Sequence, residues 1–363
     1  MPVRVVGMIG VTPPKSDAQL IIIEGALDPA YVVESARAHQ AAGYDMALVG
    51  YSSSSAEGFL VALHAAHHTE RIKLLIAHRP GFVAPTLMAR KIATFDRLTG
   101  GRIAIHIITG KTDAEQWGDG DFSPKPERYE RAAEYLGLMR RAWAETAPFD
   151  FEGRFYRVAG AASDVRPVQS PHPEILFGGA SEGALAMGAE HCDTYAVYAE
   201  PLAAARQKIA EMRERAAKFG RQIGFNVSAR PILGATEAEA WEKARAILAK
   251  IEGGAARGWS RQEATTDAVD NAGRRMMGFA AEKDVHDARL WMPITRATGA
   301  LGNTSCFVGT AEQVAEALLE YYRLGVGSFL VRGFDPAGDT VEFGRELIPR
   351  LKEGALRIDR ERR

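Results

Sequence analysis

Residues 175–181 have the composition of a phosphate-binding turn. The segment begins as an apolar, strand-like run and then passes through Gly178 and Gly179 to Ser181, a residue type that often caps a helix. Glycines leave backbone N–H groups uncovered, and N–H groups at a helix N-terminus attract anions. An ordinary strand-to-helix turn has the same pattern, so the segment alone leaves both interpretations open.

The sequence lacks the acid and base motifs typical of hydrolytic enzymes. It has no pair of carboxylates placed for glycoside hydrolysis, no HxH or HExxH metal motif and no GxSxG nucleophile turn. We interpret the isolated acids Glu57 and Asp96 as helix-surface or helix-capping residues. A site poor in acids and bases indicates that a bound cofactor supplies the reactivity.

Short apolar runs alternate with amphipathic helical segments, which predicts a parallel sheet covered by helices. Eight runs are followed by helices and none leads into GxGxxG, so the pattern favours a (β/α)8 TIM barrel over a doubly wound open sheet. Thr236 and Thr310 stand three residues before Glu239 and Gln313, which is the spacing of a capping box. The predicted strands are 3–10, 46–49, 72–77, 102–107, 174–177, 194–197, 224–232 and 328–331.

Two segments lie outside these units. Residues 149–158 alternate aromatic and polar side chains around Glu152 and Gly153, which predicts a β-hairpin outside the barrel. Residues 253–287 are polar and rich in glycine and charge, and a connection of this length is typical of a mobile loop over a site. Because we find no repeat and no proline-rich linker, we expect residues 1–363 to form one domain.

The composition excludes several classes of partner. The 363 residues are 46% hydrophobic and 25% charged, as in an ordinary globular protein. Lys and Arg number 45 and Asp and Glu 46, a net charge of -1, so we expect neither nucleic-acid nor membrane-surface binding. Two cysteines are too few for a disulfide framework or a zinc cage, and no run of 18 apolar residues occurs, so we expect a cytoplasmic protein.

Four segments together carry a family resemblance. They are AHRPGFVAPTLMARKIATFDRL at 77–98, LTGGRIAIHIITG at 98–110, GDGDFSPKPERYERAAEY at 118–135 and PEILFGGAS at 173–181. In this order and spacing they resemble the bacterial luciferase-like, flavin-dependent monooxygenases. The alkanesulfonate monooxygenase branch is most similar, since it shares RP-x4-P-x3-AR-x2-ATxDRL, the GDG, the ERYE and the FGG-x-S. The resemblance runs from about Pro29 to Leu351.

The resemblance implies a binding site for the phosphate of FMN. Tyr129 of the ERYE motif would contact the phosphate together with Gly179, Ala180 and Ser181. Tyr129 could alternatively be an aromatic residue that only packs between helices.

The resemblance also implies positions around the isoalloxazine ring. His106 and Thr109 would border the ring, and Ala77 and His78 would lie beneath it, where the family often has a non-proline cis peptide. Both histidines could alternatively be hydrogen-bonded interior residues.

The sequence departs from the alkanesulfonate branch around the substrate. A cysteine of the branch corresponds to Ser55 or Ser54, and an arginine and a histidine on the seventh strand correspond to Ser228 and Arg230. A tyrosine after the eighth strand corresponds to Phe334. We therefore expect a substrate site of altered polarity. Ser55 and the other serines of the run 52–55 either supply hydroxyls to a polar ligand or only begin a helix.

Arginines could bind an anionic substrate in this site. The guanidinium of Arg230 offers a fixed fork of donors for a sulfonate or carboxylate but cannot act as a base. Arg296 has a counterpart in the branch, and Arg274 or Arg275 could close over the substrate from the 253–287 segment. Arg230 could instead pair with an acid such as Glu200.

The resemblance implies a two-component monooxygenase. Such an enzyme uses FMNH2 from a separate NAD(P)H:FMN reductase and O2, and an alkanesulfonate would give an aldehyde and sulfite. The same chemistry on a sulfone, a ketone or a polycarboxylate, a deazaflavin-dependent hydride transfer, and a non-catalytic flavin-binding barrel are the alternatives. Relatives pair through helices, so we expect a homodimer or homotetramer.

Overall fold

The computed structural model describes residues 2–110, 112–254 and 271–362. Its strands are β1 (Arg4–Met8), β2 (Met46–Val49), β3 (Lys73–His78), β4 (Ile103–Ile107), β5 (Phe149–Glu152), β6 (Arg157–Ala161), β7 (Ile175–Gly178), β8 (Thr194–Tyr198), β9 (Gly224–Leu233), β10 (Val285–His286), β11 (Leu290–Trp291), β12 (Cys306–Gly309) and β13 (Ser328–Val331). Eight of them pair in parallel and close in the order β1, β2, β3, β4, β7, β8, β9, β13 and back to β1. This closed sheet confirms the predicted (β/α)8 TIM barrel.

Helices surround the barrel and connect its strands. They are α1 (Pro29–Ala41), α2 (Gly58–His67), α3 (Pro85–Thr99), α4 (Asp113–Gly118), α5 (Lys125–Ala144), α6 (Glu182–His191), α7 (Leu202–Ala217), α8 (Glu237–Glu252), α9 (Asn271–Glu282), α10 (Pro293–Ala297), α11 (Ala311–Arg323), α12 (Gly338–Glu342) and α13 (Ile348–Glu361), with a π-helical turn at Phe343–Leu347. Both predicted capping boxes are confirmed, at Thr236 before α8 and at Thr310 before α11.

The barrel strands are buried on both faces. Along β3, Leu75 belongs to a small apolar cluster inside the barrel, whereas its neighbours Leu74 and Ile76 pack outward under the helices. This alternation follows from the two-residue repeat of a strand. Side chains of the inner set at the carboxyl ends of the strands therefore point into the mouth of the barrel.

Strand β9 is shared by two sheets. Its first part pairs with β8 and β13 inside the barrel, as far as Ala229. From Arg230 to Leu233 it pairs instead with β12, which continues antiparallel into β11 and β10. The predicted strands do not include this small outer sheet, because β10 and β11 have only two residues each and leave no periodic pattern.

The two predicted insertions differ in outcome. The hairpin is confirmed as the antiparallel pair β5 and β6, although it extends to residue 161. The prediction of a loop over 253–287 is wrong for its described second part, because residues 271–282 form α9, with its apolar residues Met276 and Ala280 buried. Residues 255–270 lie outside the described residues.

Of the two isolated acids, only one has the predicted helix-surface or helix-capping role. Glu57 caps α2 as predicted, since its carboxylate accepts a hydrogen bond from the backbone N–H of Leu60 at 2.8 Å. Asp96 is neither a surface nor a capping residue, because it is fully buried in α3. Its carboxylate accepts hydrogen bonds from the backbone N–H groups of Val168 and Gln169 at 2.7 and 3.0 Å, and thus ties the segment before β7 to the barrel.

Candidate active site

A cavity of about 410 Å³ opens at the carboxyl ends of the barrel strands. Polar groups from the loops after the strands form its walls. A pocket of this size, with an apolar floor and few polar groups, is typical of a cofactor or small-molecule site, and this face of a TIM barrel carries the active site. The floor consists of inward-pointing side chains of the barrel, Met8, Leu48, Leu75, Leu176 and Leu330.

The turn from β7 to α6 forms one end of the cavity. Both of its glycines are required by packing: a Cβ atom on Gly178 would lie 2.3 Å from the carbonyl oxygen of Ala196, and one on Gly179 would lie 2.6 Å from the Cβ of Ala184. Tyr195 fixes the turn from below, since its hydroxyl donates to the carbonyl of Gly179 at 2.8 Å. The backbone of this turn is therefore held close to β8 and open toward the cavity.

Ser181 caps α6 and leaves donors free for a ligand. Its Oγ accepts from the backbone N–H of Ala184 at 3.3 Å. The N–H groups of Glu182 and Gly183 belong to the first helical turn, where no intrahelical acceptor exists. Because the helix dipole also places positive potential here, the turn can bind a phosphate.

Helix α5 contributes two further groups at the same end. Tyr129 packs beside the start of α6, where a Cβ on Gly183 would lie 2.9 Å from its ring, and it meets Phe177 edge to face. Lys125 lies four residues earlier, on the same face of α5, and also lines the cavity. No ion pair joins Lys125 to another residue in the described ranges, so its ammonium group can pair with a bound anion.

Buried Arg128 holds the loop after β4 against α5. Its Nε donates to the carbonyl of Thr109 at 3.0 Å, and its Nη1 donates to that of Ser123 at 2.7 Å. Its Nη2 pairs with Asp113 at 2.9 Å. Thr109 and the adjoining Tyr129 are thus positioned by one guanidinium, which the sequence analysis did not select.

His106 at the end of β4 lines the cavity, and its place beside a flavin ring stays a prediction. Its Nδ1 atom is enclosed by protein and has no hydrogen-bond partner among the described residues. Burial lowers the pKa of the imidazole to about 4, so the ring is neutral at pH 7. A neutral imidazole has one donor and one acceptor nitrogen, and because Nδ1 is enclosed, a ligand in the cavity could be contacted only by the rest of the ring.

Ala77 and His78 do not line the cavity. Ala77 is buried in β3, and Nε2 of His78 lies 3.0 Å from the hydroxyl of Tyr135, with Phe59 edge to face against the ring. Burial lowers the pKa of His78 to about 3. The bond between residues 77 and 78 is trans, and within the described ranges the cis peptide is Ser170-Pro171.

Arg230 does not line the cavity either, and its donors face backbone carbonyls. Its Nε donates to Asn303 at 2.7 Å, its Nη1 to Gly333 at 2.7 Å and its Nη2 to Leu20 at 2.8 Å. The guanidinium also stacks on the ring of Phe334, 4.7 Å from its centroid. It does not pair with Glu200, the alternative considered above, and burial lowers its pKa.

Arg296 and Ser55 also lie away from the cavity. Arg296 on α10 is half-exposed and pairs with Asp284 at 2.7 Å. The hydroxyl of Ser55 donates to the carbonyl of Ser52 at 2.9 Å and closes a local turn before α2. Neither side chain reaches the described cavity wall.

Helix α9 covers part of the cavity with Asn271 and Ala272. Arg275 of this helix forms a two-pronged ion pair with Glu200, in which Nε and Nη2 lie 2.8 and 2.7 Å from the carboxylate. Arg274 donates instead to the side chain of Asn271. The carboxylate of Glu200 is therefore occupied by the covering helix.

Arg332 is a cation at the cavity that belongs to none of the sequence motifs. It follows β13 directly and lines the cavity. Its Nη1 lies 3.3 Å from the sulfur of Met8, and its buried Nε has no partner among the described residues. Burial lowers the pKa of Arg332 to about 10, which leaves it charged at pH 7.

Other kinds of site are not found in the described part of the chain. It contains no cluster of three His, Cys, Asp or Glu side chains that could hold a metal ion. None of its helices is long and apolar enough to cross a membrane.

Three solved structures share the fold over nearly the whole chain. EDTA monooxygenase from Chelativorans sp. BNC1 superposes with a TM-score of 0.74 at 19% identity, covering 97% of this chain and 94% of its own. DmoA from Hyphomicrobium sulfonivorans superposes with a TM-score of 0.75 at 18% sequence identity, covering 97% of this chain and 88% of its own. A third structure, solved with FMN, is the oxygenating constituent of 3,6-diketocamphane monooxygenase from Pseudomonas putida. It superposes with a TM-score of 0.70 at 18% sequence identity, covering 97% of this chain and 98% of its own.

The sequence itself matches a family profile. The profile of the luciferase-like monooxygenases aligns with residues 6–328, which run from within β1 to the first residue of β13. This match confirms the predicted family, while the alkanesulfonate branch within it stays a prediction. The chain, an eight-stranded barrel with a glycine-serine helix terminus at its mouth, therefore belongs to the luciferase-like monooxygenase family.

Proposed function

We propose that this chain is the oxygenase component of a two-component system that uses FMNH2 and O2 to oxygenate a small anionic organic molecule. One observation carries the proposal. The N-terminus of α6, Tyr129 and Lys125 converge at one end of a 410 Å³ cavity, whose wall also includes the neutral imidazole of His106. Together these groups match the phosphate and the polar ring edge of FMN.

The phosphate end provides charge and backbone donors. The N–H groups of Glu182 and Gly183, the Ser181 hydroxyl and the Lys125 ammonium group would bind the phosphate. Tyr129 would contribute its hydroxyl from α5. Ala180 and Gly179 line the same end and leave room for the ligand because they carry little or no side chain.

The ring end provides an apolar surface with few polar atoms. Reduced FMN, when bound, supplies the electrons that activate O2. Leu75 and Leu176 on the floor would keep water from the reacting atoms, and neutral His106 and Thr109 would offer hydrogen bonds to the ring. The chain's own residues would thus bind, orient and exclude water rather than transfer protons through a strong acid or base.

We infer that a separate NAD(P)H:FMN reductase supplies the reduced flavin. The sequence has no GxGxxG turn after any barrel strand, so no dinucleotide-binding motif of the Rossmann type is present. We also propose that the chain assembles as a homodimer or homotetramer.

For the substrate we propose an organosulfur compound of the alkanesulfonate type, which would yield an aldehyde and sulfite. The support is the similarity of the four motifs to the alkanesulfonate branch. Oxygenation of a sulfone, a ketone or a polycarboxylate is the alternative outcome.

The test combines binding with turnover. Anaerobic titration with FMNH2 and aerobic titration with FMN should each show saturable binding. With a flavin reductase, NADH and FMN present, a panel of sulfonates, sulfones, ketones and polycarboxylates is then screened for substrate-dependent oxygen consumption and for sulfite. Absence of flavin binding in both redox states would contradict the proposal, and flavin binding without turnover of any compound would favour a non-catalytic flavin-binding barrel.

A further inference from the structure

On the described cavity wall, both acidic side chains have ion-pair partners, but two of the four cationic side chains do not. Among the described residues that line it, the acids are Glu115 and Glu200, and each already has an arginine partner. The cationic residues are Arg79, Lys125, Lys208 and Arg332. Arg79 pairs with Glu115 and Lys208 lies 3.7 Å from Glu211, whereas Lys125 and Arg332 have no carboxylate within 4 Å in the described ranges. The wall therefore offers two uncompensated positive charges.

The two free cations lie at different places in the mouth of the barrel. Lys125 belongs to the phosphate end described above. Arg332 follows β13, which is four strands away from β4 in either direction around the eight-stranded ring. Arg332 therefore stands across the cavity from His106, on the side that the proposed flavin-binding residues leave open.

A small polar corner surrounds Arg332. Ser228 and Asn303 line the cavity beside it, and the amide of Asn303 donates to the hydroxyl of Ser228 at 2.5 Å. Because Ser228 accepts this bond, its own hydroxyl hydrogen remains available for a ligand. Gly302 leaves space next to the guanidinium, since a Cβ there would lie 3.6 Å from Nη2 of Arg332.

The polar partners of Arg332 are weak. The sulfur of Met8 is a poor acceptor, and Nε has no acceptor among the described residues. Arg230, which lies behind this corner, directs its donors at carbonyls and adds positive charge without competing for a ligand at the cavity wall. A half-buried guanidinium without a carboxylate loses part of its hydration, and an anionic ligand would compensate that loss.

We propose that Arg332, assisted by the hydroxyl of Ser228, binds the anionic group of the organic substrate, a sulfonate or a carboxylate. This inference rests on the proposed function and assigns its substrate site to β13 and β9. A fork of N–H donors facing an oxyanion matches either group, and the two anions share this recognition chemistry.

Calorimetric binding of three probes of equal chain length tests the assignment: 1-hexanesulfonate, hexanoate and neutral 1-hexanol. Wild-type protein, Arg332→Gln, Arg332→Lys and the control Arg296→Gln are each titrated with and without saturating FMN. We expect the wild type and Arg296→Gln to bind at least one of the two anions at least ~10-fold more tightly than the alcohol. Arg332→Gln should lose this preference, and Arg332→Lys should retain part of it.

FMN affinity, measured separately on every variant, distinguishes a failure of the substrate-site assignment from a failure of the proposed function. We expect it to stay within about three-fold of the wild-type value in Arg332→Gln, because the phosphate end is untouched. An unchanged anion preference in that variant, or no preference in the wild type, would overturn the assignment. A parallel loss of FMN affinity would also overturn it by placing Arg332 on the flavin. Wild-type protein that binds no FMN would refute the proposed function, and the flavin-free titration would still decide the role of Arg332.

Should Arg332→Gln not fold, Ser228→Ala provides the second variant. It removes one hydroxyl from the corner and should weaken binding of the preferred anion by about three- to five-fold while leaving hexanol binding unchanged. Equal effects on the anions and on hexanol would contradict the assignment.

Discussion

The two sides of the barrel mouth differ in how their residues are fixed. On the β4–β7 side, His106, Thr109 and the turn to α6 all line the cavity where the family motifs place them. On the β9–β13 side, the arginine selected from the sequence is enclosed by carbonyls, and another arginine, Arg332, faces the cavity. The motifs around β4 and β7 thus place their residues at the cavity, although Ala77 and His78 of the first motif lie outside it. For a single arginine, the sequence does not show which way the side chain points.

The reason lies in the pairing of β9. Asn226 and Ser228 line the cavity, and the two-residue repeat would bring Arg230 to the same face. At Arg230, however, the strand changes partner from β13 to β12 and leaves the ring. On β13 the repeat continues undisturbed from Leu330 to Arg332, and both line the cavity.

The largest expected effect is a loss of stability on removal of Arg230. Without that loss, the contrast between a structural Arg230 and a cavity-facing Arg332 would not hold. Arg230→Ala should lower the free energy of unfolding by about 4 kcal/mol, because buried carbonyls of Asn303, Gly333 and Leu20 lose a charged donor. Urea unfolding followed by circular dichroism measures the change.

Arg296→Ala is the matched control for that experiment. This arginine is half-exposed, pairs with exposed Asp284 and, among the described residues, donates to only one backbone carbonyl, that of Ala280. Its removal should therefore lower the free energy of unfolding by no more than about 1 kcal/mol. Equal stability of the two variants would show that Arg230 is not a structural residue.

The next effect tests the backbone requirement on the β7 side. Gly178→Ala should cost about 3 kcal/mol of folding free energy, since the new methyl group would meet the backbone oxygen of Ala196 and must displace it. FMN affinity should fall with it, because the turn that precedes α6 moves. Thermal unfolding and FMN titration report the two effects.

Gly278→Ala in α9 serves as the control, since nothing lies within 4 Å of a Cβ at that position. There the change should be neutral or slightly stabilising, because alanine favours a helix. A neutral Gly178→Ala would mean that the glycine is dispensable for packing.

An effect of intermediate size is the dependence of stability on pH. It arises from buried histidines that stay neutral, whereas the arginines discussed above stay charged. Burial lowers the pKa of His78 to about 3 and that of His106 to about 4 from an ordinary 6.5. Between pH 6.5 and 5 the unfolded chain therefore binds protons that the folded protein excludes, and stability falls as the pH falls. Each histidine contributes up to about 2 kcal/mol over this window.

Urea midpoints at pH 7.5, 6.5 and 5 measure this dependence. In His78→Gln the decline between pH 6.5 and 5 should be shallower than in the wild type. The same slope in both proteins would contradict the assignment of His78 as a neutral buried group.

The smallest effect concerns the phosphate end. Lys125→Met should weaken FMN binding by about five-fold, equivalent to ~1 kcal/mol, because one partly exposed cation is lost while the helix terminus remains. Exposed Lys218, changed to Met, is the control and should leave the affinity unaltered. An unchanged affinity in Lys125→Met would remove that residue from the binding site.

The fold was predictable from the sequence because each barrel strand is a short apolar run followed by a helix, and several of these helices have their own start signal. The capping threonines before α8 and α11 are examples, and both form as predicted. The outer sheet was not predictable, since β10 and β11 are two-residue pairings that exist only through contact with β12. Helix α9 was missed because its segment is polar and glycine-rich overall.

For the site, most of the selected motif residues line the cavity, with Ala77 and His78 as the exceptions, whereas the isolated residues lie away from it. Tyr129 and Ser181 line the cavity, and they belong to runs whose backbone geometry is encoded locally. Ser55 and Arg296 satisfy their donors nearby, which spacing along the chain could not reveal. Arg332 stood at a predicted strand end, and only the three-dimensional structure shows that its Nε lacks a partner.

The double membership of β9 has a consequence for protein engineering. In its first half, Asn226 and Ser228 line the cavity, whereas residues 231–233 pair with β12 of the outer sheet. Libraries that randomise 226 and 228 should therefore shift ligand preference, and libraries at 231–233 should mainly alter expression yield. Ligand preference and expression yield could thus be altered independently, at two different parts of the same strand.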